Sequence, residues 1–235
     1  MTSKVIVSEN VSQDLSSVIK NVYESNKKNP DEDFVIGLSG GSLPKFFASG
    51  LNELEDTINW SKVKFIFCDE RLVPYDDGDS TWKIYKETVV GKVEGLDESN
   101  FILVDVNLPD AEASAIDYET KVKEYAVKGF DLLLLGMGPD GHTCSLFPGH
   151  PLLKEQDRIV APITDSPKLP PSRVTLTLPY INKSKAVIFV CTGEGKKTMI
   201  ENVLKKKIED FPSTLVRPEN GELYWILDKP AASNL

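Results

Sequence analysis

The sequence predicts a three-layer α/β/α fold built around a mainly parallel sheet. Three observations lead there. Short apolar runs of buried-strand type alternate along the chain with stretches of helical periodicity. Several runs end in glycine, serine or charged residues, as strands do when their carboxyl ends open onto a ligand crevice. The 235 residues are 40% hydrophobic and show no composition shift that would mark a linker, so 1–235 reads as a single domain.

Residues 4–8 form a short strand. Val11, Leu15, Val18, Ile19, Val22 and Tyr23 then recur at helical spacing, and the helix they predict ends before Pro30. Residues 34–38 are a buried-type strand running into Ser39, Gly40, Gly41 and Ser42, with a helix over 43–54 behind them. Strand, glycine–serine turn and helix start together aim backbone N–H groups and a positive dipole end at an anion. The plainer alternative is an ordinary serine cap. A Walker A loop is excluded, because the G-K-[ST] ending is missing.

The apolar run 63–68 ends in Asp69, Glu70 and Arg71, three charges at the mouth of a strand, for which a salt-bridged rim is the bland alternative. A loop over 74–79 leads to a helix over 82–90, a strand over 101–104 and a helix over 110–127 with acids in its first turn. Next comes the segment 131–148, DLLLLGMGPDGHTCSLFP. Its apolar start, 131–135, predicts a strand buried on both faces. Gly136, Gly138 and Gly141 then make a tight turn that delivers His142 to the strand's carboxyl end. GMGPDG matches G-x-G-x-x-G, but a dinucleotide site needs a helix at the last glycine, and Pro148 follows within seven residues. A buried core histidine is the other alternative, and a glycine-flanked loop is a poor place for one.

Residues 159–163 are another strand. Beyond Pro170, Pro171 and Ser172, residues 173–178 alternate with period two: Arg173, Thr175 and Thr177 on one face, Val174, Leu176 and Leu178 on the other. Arg173 stands at a strand entrance, where solvation is the ordinary fate of arginine. The strand over 186–191 leads through Thr192, Gly193, Glu194 and Gly195 to Lys196, and a helix follows over 197–207. A cation near a helix start is unfavourable unless an anion offsets it. Residues 222–227 supply the last strand.

The net charge of −9 argues against nucleic acid or an anionic membrane as partner, and requires any anion site to be a local basic cluster. Cys68, Cys144 and Cys191 form no C-x-x-C pair, which points to a reducing compartment. With neither a targeting pattern nor an apolar run of membrane length, the expected location is cytoplasmic, and the expected assembly a monomer or weak homo-oligomer. Cys144 and His150 near His142 raise the question of a metal, but their spacing matches no recognised ligand set.

The turns at 39–42, 69–71 and 138–142, with Arg173 and Lys196, thus offer an anion cradle beside a histidine base and a second arginine. Phosphate suits arginine and lysine best. No G-x-S-x-G elbow is present, so water rather than serine is the expected nucleophile.

LSGGSLP, CDERLVPYDDGDS, LLLLGMGPDGHTCSLFPGH, PPSRVTLTLPYIN and TGEGKK occur in that order, and through them the chain resembles the 6-phosphogluconolactonases. That group belongs to a superfamily with glucosamine-6-phosphate deaminase and shares features with ribose-5-phosphate isomerase. The resemblance implies a Rossmann-like sheet and hydrolysis of 6-phosphoglucono-1,5-lactone without metal or organic cofactor. It places Ser42, the Gly40–Gly41 backbone, Arg173 and Lys196 on the 6-phosphate, His142 as the base for water, and Arg71 near the carbonyl. Asp140 and Asp69 become candidates to orient the histidine or bind sugar hydroxyls. Where relatives commonly carry Ser-Asn after the DER loop, this chain has Ser80 and Thr81. Deaminases carry a glutamate where this chain has Phe147, and a tyrosine where it has Arg71. A non-catalytic sugar-phosphate sensor would need Ser42, Arg173 and Lys196 but not His142 and Arg71 together.

Overall fold

The computed structural model describes residues 3–26, 29 and 32–235. The expected helix stop at Pro30 lies outside them. From the start of the chain the elements are β1 (Lys4–Ser8), α1 (Val11–Ser25), β2 (Phe34–Leu38), α2 (Leu43–Gly50), β3 (Val63–Phe67) and β4 (Asp69–Arg71). The middle of the chain gives α3 (Thr81–Thr88), β5 (Phe101–Ile102), α4 (Ala111–Ala126), β6 (Leu132–Gly136) and β7 (Val160–Ile163). It closes with β8 (Arg173–Leu176), α5 (Leu178–Ile181), β9 (Ala186–Cys191), α6 (Lys197–Ile200), α7 (Pro212–Leu215) and β10 (Glu222–Asp228).

Seven strands form one sheet in the order β1-β10-β9-β6-β2-β3-β5, and every pairing in it is parallel. Chain order runs one way from β2 through β3 to β5, and the other way from β6 through β9 to β10. The reversal falls between β2 and β6. A crevice opens at such a switch point beyond the carboxyl ends of the two strands. Ser39 through Ser42 leave one of those ends, and Gly136 through His142 the other.

The three-layer α/β fold around a mainly parallel sheet expected from the sequence is borne out, and a smaller sheet accompanies it. β4, β8 and β7 make a second, three-stranded antiparallel sheet. Asp69, Glu70 and Arg71 are therefore not a loop at the end of β3 but a strand facing β8. The run 173–178 also ends early, because Pro179 has no N–H for a ladder and fits the first turn of α5. Asp131 is capping the strand rather than joining it: its carboxylate accepts from the Val35 N–H and the Lys185 ammonium, both at 2.9 Å. Two helices tighten or loosen at their ends. α2 continues only as a 3-10 turn (Leu51–Glu53), and α6 passes into a π-helical stretch (Glu201–Lys205).

The core is continuous. α1 and α2 pack on each other and on strands of the large sheet, while α4 lies against β7 and β8. The Tyr118 hydroxyl, on α4, donates to the carbonyls of Phe67 and Ile102 and accepts from the Phe67 N–H. Among the described residues no helix is long and apolar enough to cross a membrane.

Candidate active site

A cleft of about 210 Å³ occupies the switch point. Its β2 wall is the 39–42 turn. Gly41 sits at φ +72°, a left-handed conformation that favours glycine. Ser42 occupies the N-cap position of α2, yet its side chain makes no capping bond, so the hydroxyl and the helix start are both unspent. That separates this turn from an ordinary serine cap. Thr81, the departure in sequence, is buried against the same turn. A Cβ on Gly40 would come within 3.2 Å of its hydroxyl.

The β6 wall is the 138–142 turn, closed by the Gly138 N–H on the His142 carbonyl (2.9 Å) and the Gly141 N–H on the Gly138 carbonyl (3.0 Å). The imidazole folds back over Gly138. A Cβ there would lie 2.0 Å from His142 Nδ1, so no other residue fits. Asp140 Oδ1 lies 2.5 Å from Nδ1. Two atoms that close need a proton between them. Burial alone would raise the Asp140 carboxyl, but the hydrogen bond from His142, and the charges of His142 and Lys168, hold it below the usual carboxylate range. We therefore assign the proton to Nδ1, which leaves the lone pair on Nε2. Burial pushes the His142 imidazole below its ordinary value of 6.5, aided by Lys168 and opposed by Asp140 and Asp69. The ring lies over Phe147, with centroids 4.8 Å apart.

The third wall comes from the small sheet. Arg71 and Arg173 are direct cross-strand partners. Like charges placed opposite each other are destabilising unless something negative joins them. Burial, and then the neighbouring Arg71 charge, push Arg173 down, while Asp69 and Asp79 oppose. Arg71 donates to the Asp79 carbonyl through Nη1, and among the described residues its buried Nε has no hydrogen-bond partner. Arg173 is 2% exposed, far from the solvated arginine of a strand entrance. Its Nε donates to the Pro170 carbonyl, Nη2 to the Lys168 and Leu169 carbonyls, and Nη1 to the Ser145 hydroxyl. Of five donors, one remains for the cleft. The Ser145 hydroxyl passes on to Asp69 Oδ2 at 2.7 Å. Glu70, between the two cleft residues, turns away: its carboxylate accepts from the backbone N–H groups of Arg71, Thr81 and Trp82 and so fixes the start of α3.

Lys196 completes the cleft from the loop after β9, its ammonium without ion pair or hydrogen bond among the described residues. Gly40, Gly41, Ser42, Asp69, Arg71, His142, Arg173 and Lys196 all line this one space, and Asp140 stands behind the histidine. Three cations face one carboxylate in a chain of net charge −9. A larger surface depression, about 620 Å³, lies near Ser213 and Trp225, but its Arg217 is paired with Glu209 and it holds no histidine. No group of three or more His, Cys, Asp or Glu among the described residues is arranged to hold a metal ion. Sequence reasoning missed Ser145, which links Asp69 to Arg173, and Lys168, whose ammonium lies 3.2 Å from His142 Nδ1. Neither has a local signature; each acts through chain distant in sequence.

Fold and cleft together define a class: α/β proteins with a basic pocket at the switch point of a parallel sheet. The chain matches the family described as "Glucosamine-6-phosphate isomerases/6-phosphogluconolactonase" over residues 6–225. It is 46% identical to the 6-phosphogluconolactonase of Rattus norvegicus over 85% of this chain and 79% of that one. It is 45% identical to a probable 6-phosphogluconolactonase of Drosophila melanogaster over 87% and 83%. The solved 6-phosphogluconolactonase of Trypanosoma cruzi superposes with a TM-score of 0.85 at 30% identity, covering 100% of this chain and 98% of that one. A monomeric glucosamine-6-phosphate deaminase shares the fold, with a TM-score of 0.81 at 23% identity. The chain belongs to the glucosamine-6-phosphate isomerase/6-phosphogluconolactonase family.

Proposed function

We propose that the cleft hydrolyses 6-phospho-D-glucono-1,5-lactone to 6-phospho-D-gluconate, a step of the oxidative pentose phosphate pathway, using water and no metal or organic cofactor. The observation that carries this is the Asp140–His142 pair set in a cleft with three cations against one carboxylate. The anionic end of the substrate lies against Ser42, the Gly40–Gly41 backbone, Lys196 and the remaining donor of Arg173. Nε2 of His142 takes a proton from water as it attacks the lactone carbonyl. Arg71 stands at the developing oxyanion, which answers its unpartnered Nε. The imidazolium, steadied by Asp140, then returns the proton to the ring oxygen as the C–O bond breaks. Asp69, fixed by Ser145, faces the sugar hydroxyls. The proposed setting is cytoplasmic, as a monomer or weak homo-oligomer.

The deaminase alternative lacks a part. Phe147 occupies the place of its glutamate and packs under both the imidazole and the Arg173 guanidinium, so no second carboxylate reaches the ring from there. The deciding experiment generates the lactone in situ with glucose-6-phosphate dehydrogenase and follows its disappearance. Disappearance faster than the spontaneous rate is expected. Turnover of glucosamine 6-phosphate, with none of the lactone, would sink the proposal.

A further inference from the structure

Lys168 lies on the loop between β7 and β8, outside the cleft, and the chemistry above gives it no task. Its ammonium is 3.3 Å from Asp140 Oδ1 and 3.2 Å from His142 Nδ1. Because Nδ1 already carries the proton donated to Asp140, the ammonium cannot donate there. Its hydrogen bond goes to Asp140, and its charge lies against the ring. The loop is held in place. The Lys168 carbonyl accepts from Arg173 Nη2 (2.8 Å) and the Ser166 hydroxyl (2.9 Å), and the next two carbonyls also accept from Arg173. A buried arginine thus bolts this lysine to the back of the imidazole.

We propose that Lys168 is a positioning residue that keeps His142 in its neutral, proton-accepting form by sharing the Asp140 carboxylate and opposing a second proton on the ring. This rests on His142 being the base. The charges around that ring come from several elements: Asp140 on its own turn, Asp69 and Arg71 on β4, Lys168 on the loop, Lys196 after β9 across the cleft, and Arg173 of β8 beyond Phe147. Both carboxylates favour the imidazolium, and an imidazole paired with a carboxylate alone stays protonated further up the pH scale. Lys168 opposes them at close range. Its side chain is 39% exposed, so solvent screens part of the effect.

The test is the pH profile of kcat/KM on the phosphorylated lactone for wild type, Lys168→Met and Lys168→Arg. In the methionine variant the acidic limb moves to higher pH. At pH 6 its kcat/KM falls roughly fivefold to tenfold below wild type, while at pH 7.5 the two stay within about twofold; the arginine variant restores the limb. NMR titration of the His142 ring, told apart from His150 with a His150→Asn variant, reads the same movement without activity. A loss independent of pH would mean that Lys168 only holds the loop. A loss confined to KM for the phosphorylated substrate would make it a phosphate ligand. Either overturns the inference, as does a wild-type limb that the methionine variant leaves in place. If wild type shows no acidic limb, the base assignment itself fails, and the ring titration still decides whether Lys168 governs the imidazole.

Discussion

β6 and β8 are buried to the same degree and built from opposite materials. β6 contributes four leucines, Leu132 to Leu135, all fully buried in the large sheet. β8 buries Arg173 and Thr175 beside Val174 and Leu176, facing Asp69 and Arg71 on β4. Apolar side chains need only volume matched to their surroundings, about 25 cal/mol for each Å² taken from water. A buried guanidinium needs its donors met, and Arg173 meets them with three loop carbonyls and a hydroxyl. The large sheet can therefore be read as stability, and the small sheet as a device that spends stability to hold charge beside the switch point.

That contrast can be broken most sharply at the junction of the two. His142→Asn should lower kcat by about 10²–10⁴ with the unfolding midpoint little changed. In the proposed mechanism the active form is neutral imidazole, so wild-type kcat should fall as pH drops through the ring's pKa, which burial places below 6.5. That limb should be missing from the variant's residual activity. Near wild-type kcat would leave His142 a structural residue.

Leu134→Ala tests the other pole. It should cost about 2–5 kcal/mol in denaturant unfolding, while kcat of the folded fraction stays within about twofold. A large fall in kcat at unchanged stability would erase the division between the sheets.

Arg173→Ala should fail on both counts. Losing charge-assisted bonds to the 168–170 carbonyls costs about 1.5–3 kcal/mol of stability. The freed loop also lowers kcat/KM on both lactones, with the larger loss on the phosphorylated one, whose anionic end is proposed to meet the remaining Arg173 donor. Loss on the phosphorylated substrate alone would make the arginine a phosphate ligand first and a clamp second. Lys196→Ala gives the smallest effect: roughly tenfold in kcat/KM on the phosphorylated lactone, little on the unphosphorylated one, and no change in stability. Equal losses on both substrates would remove Lys196 from the phosphate pocket.

The same contrast explains what was legible in the sequence. Strands of the large sheet announce themselves as apolar runs, and their carboxyl ends as glycine, so Ser42, His142 and Lys196 could be placed from local pattern. β4 is three residues of Asp, Glu and Arg, and nothing local says that they pair with a strand some hundred positions on. Glu70 shares a motif with two cleft residues yet spends its carboxylate on the start of α3. Ser145 and Lys168 find their partners 76 and 26 positions away, as a serine and a lysine of ordinary setting. Assigning phosphate, carbonyl and sugar to individual residues came from the family resemblance, not from spacing.

The strand order has a consequence for how the molecule is made. β1 sits at the edge of the large sheet, and among the described residues its one neighbour there is β10, with Lys4 opposite Tyr224. On a ribosome β1 is made before β2 to β9 and waits for β10 before its ladder can form. Strands β2, β3, β6 and β9 can pair among themselves meanwhile, building the crevice first. Closing so long a loop is entropically slow, and the edge gained last is held on one side only. In native-state hydrogen exchange β1 is then the first strand to open, with the cleft between β2 and β6 still intact.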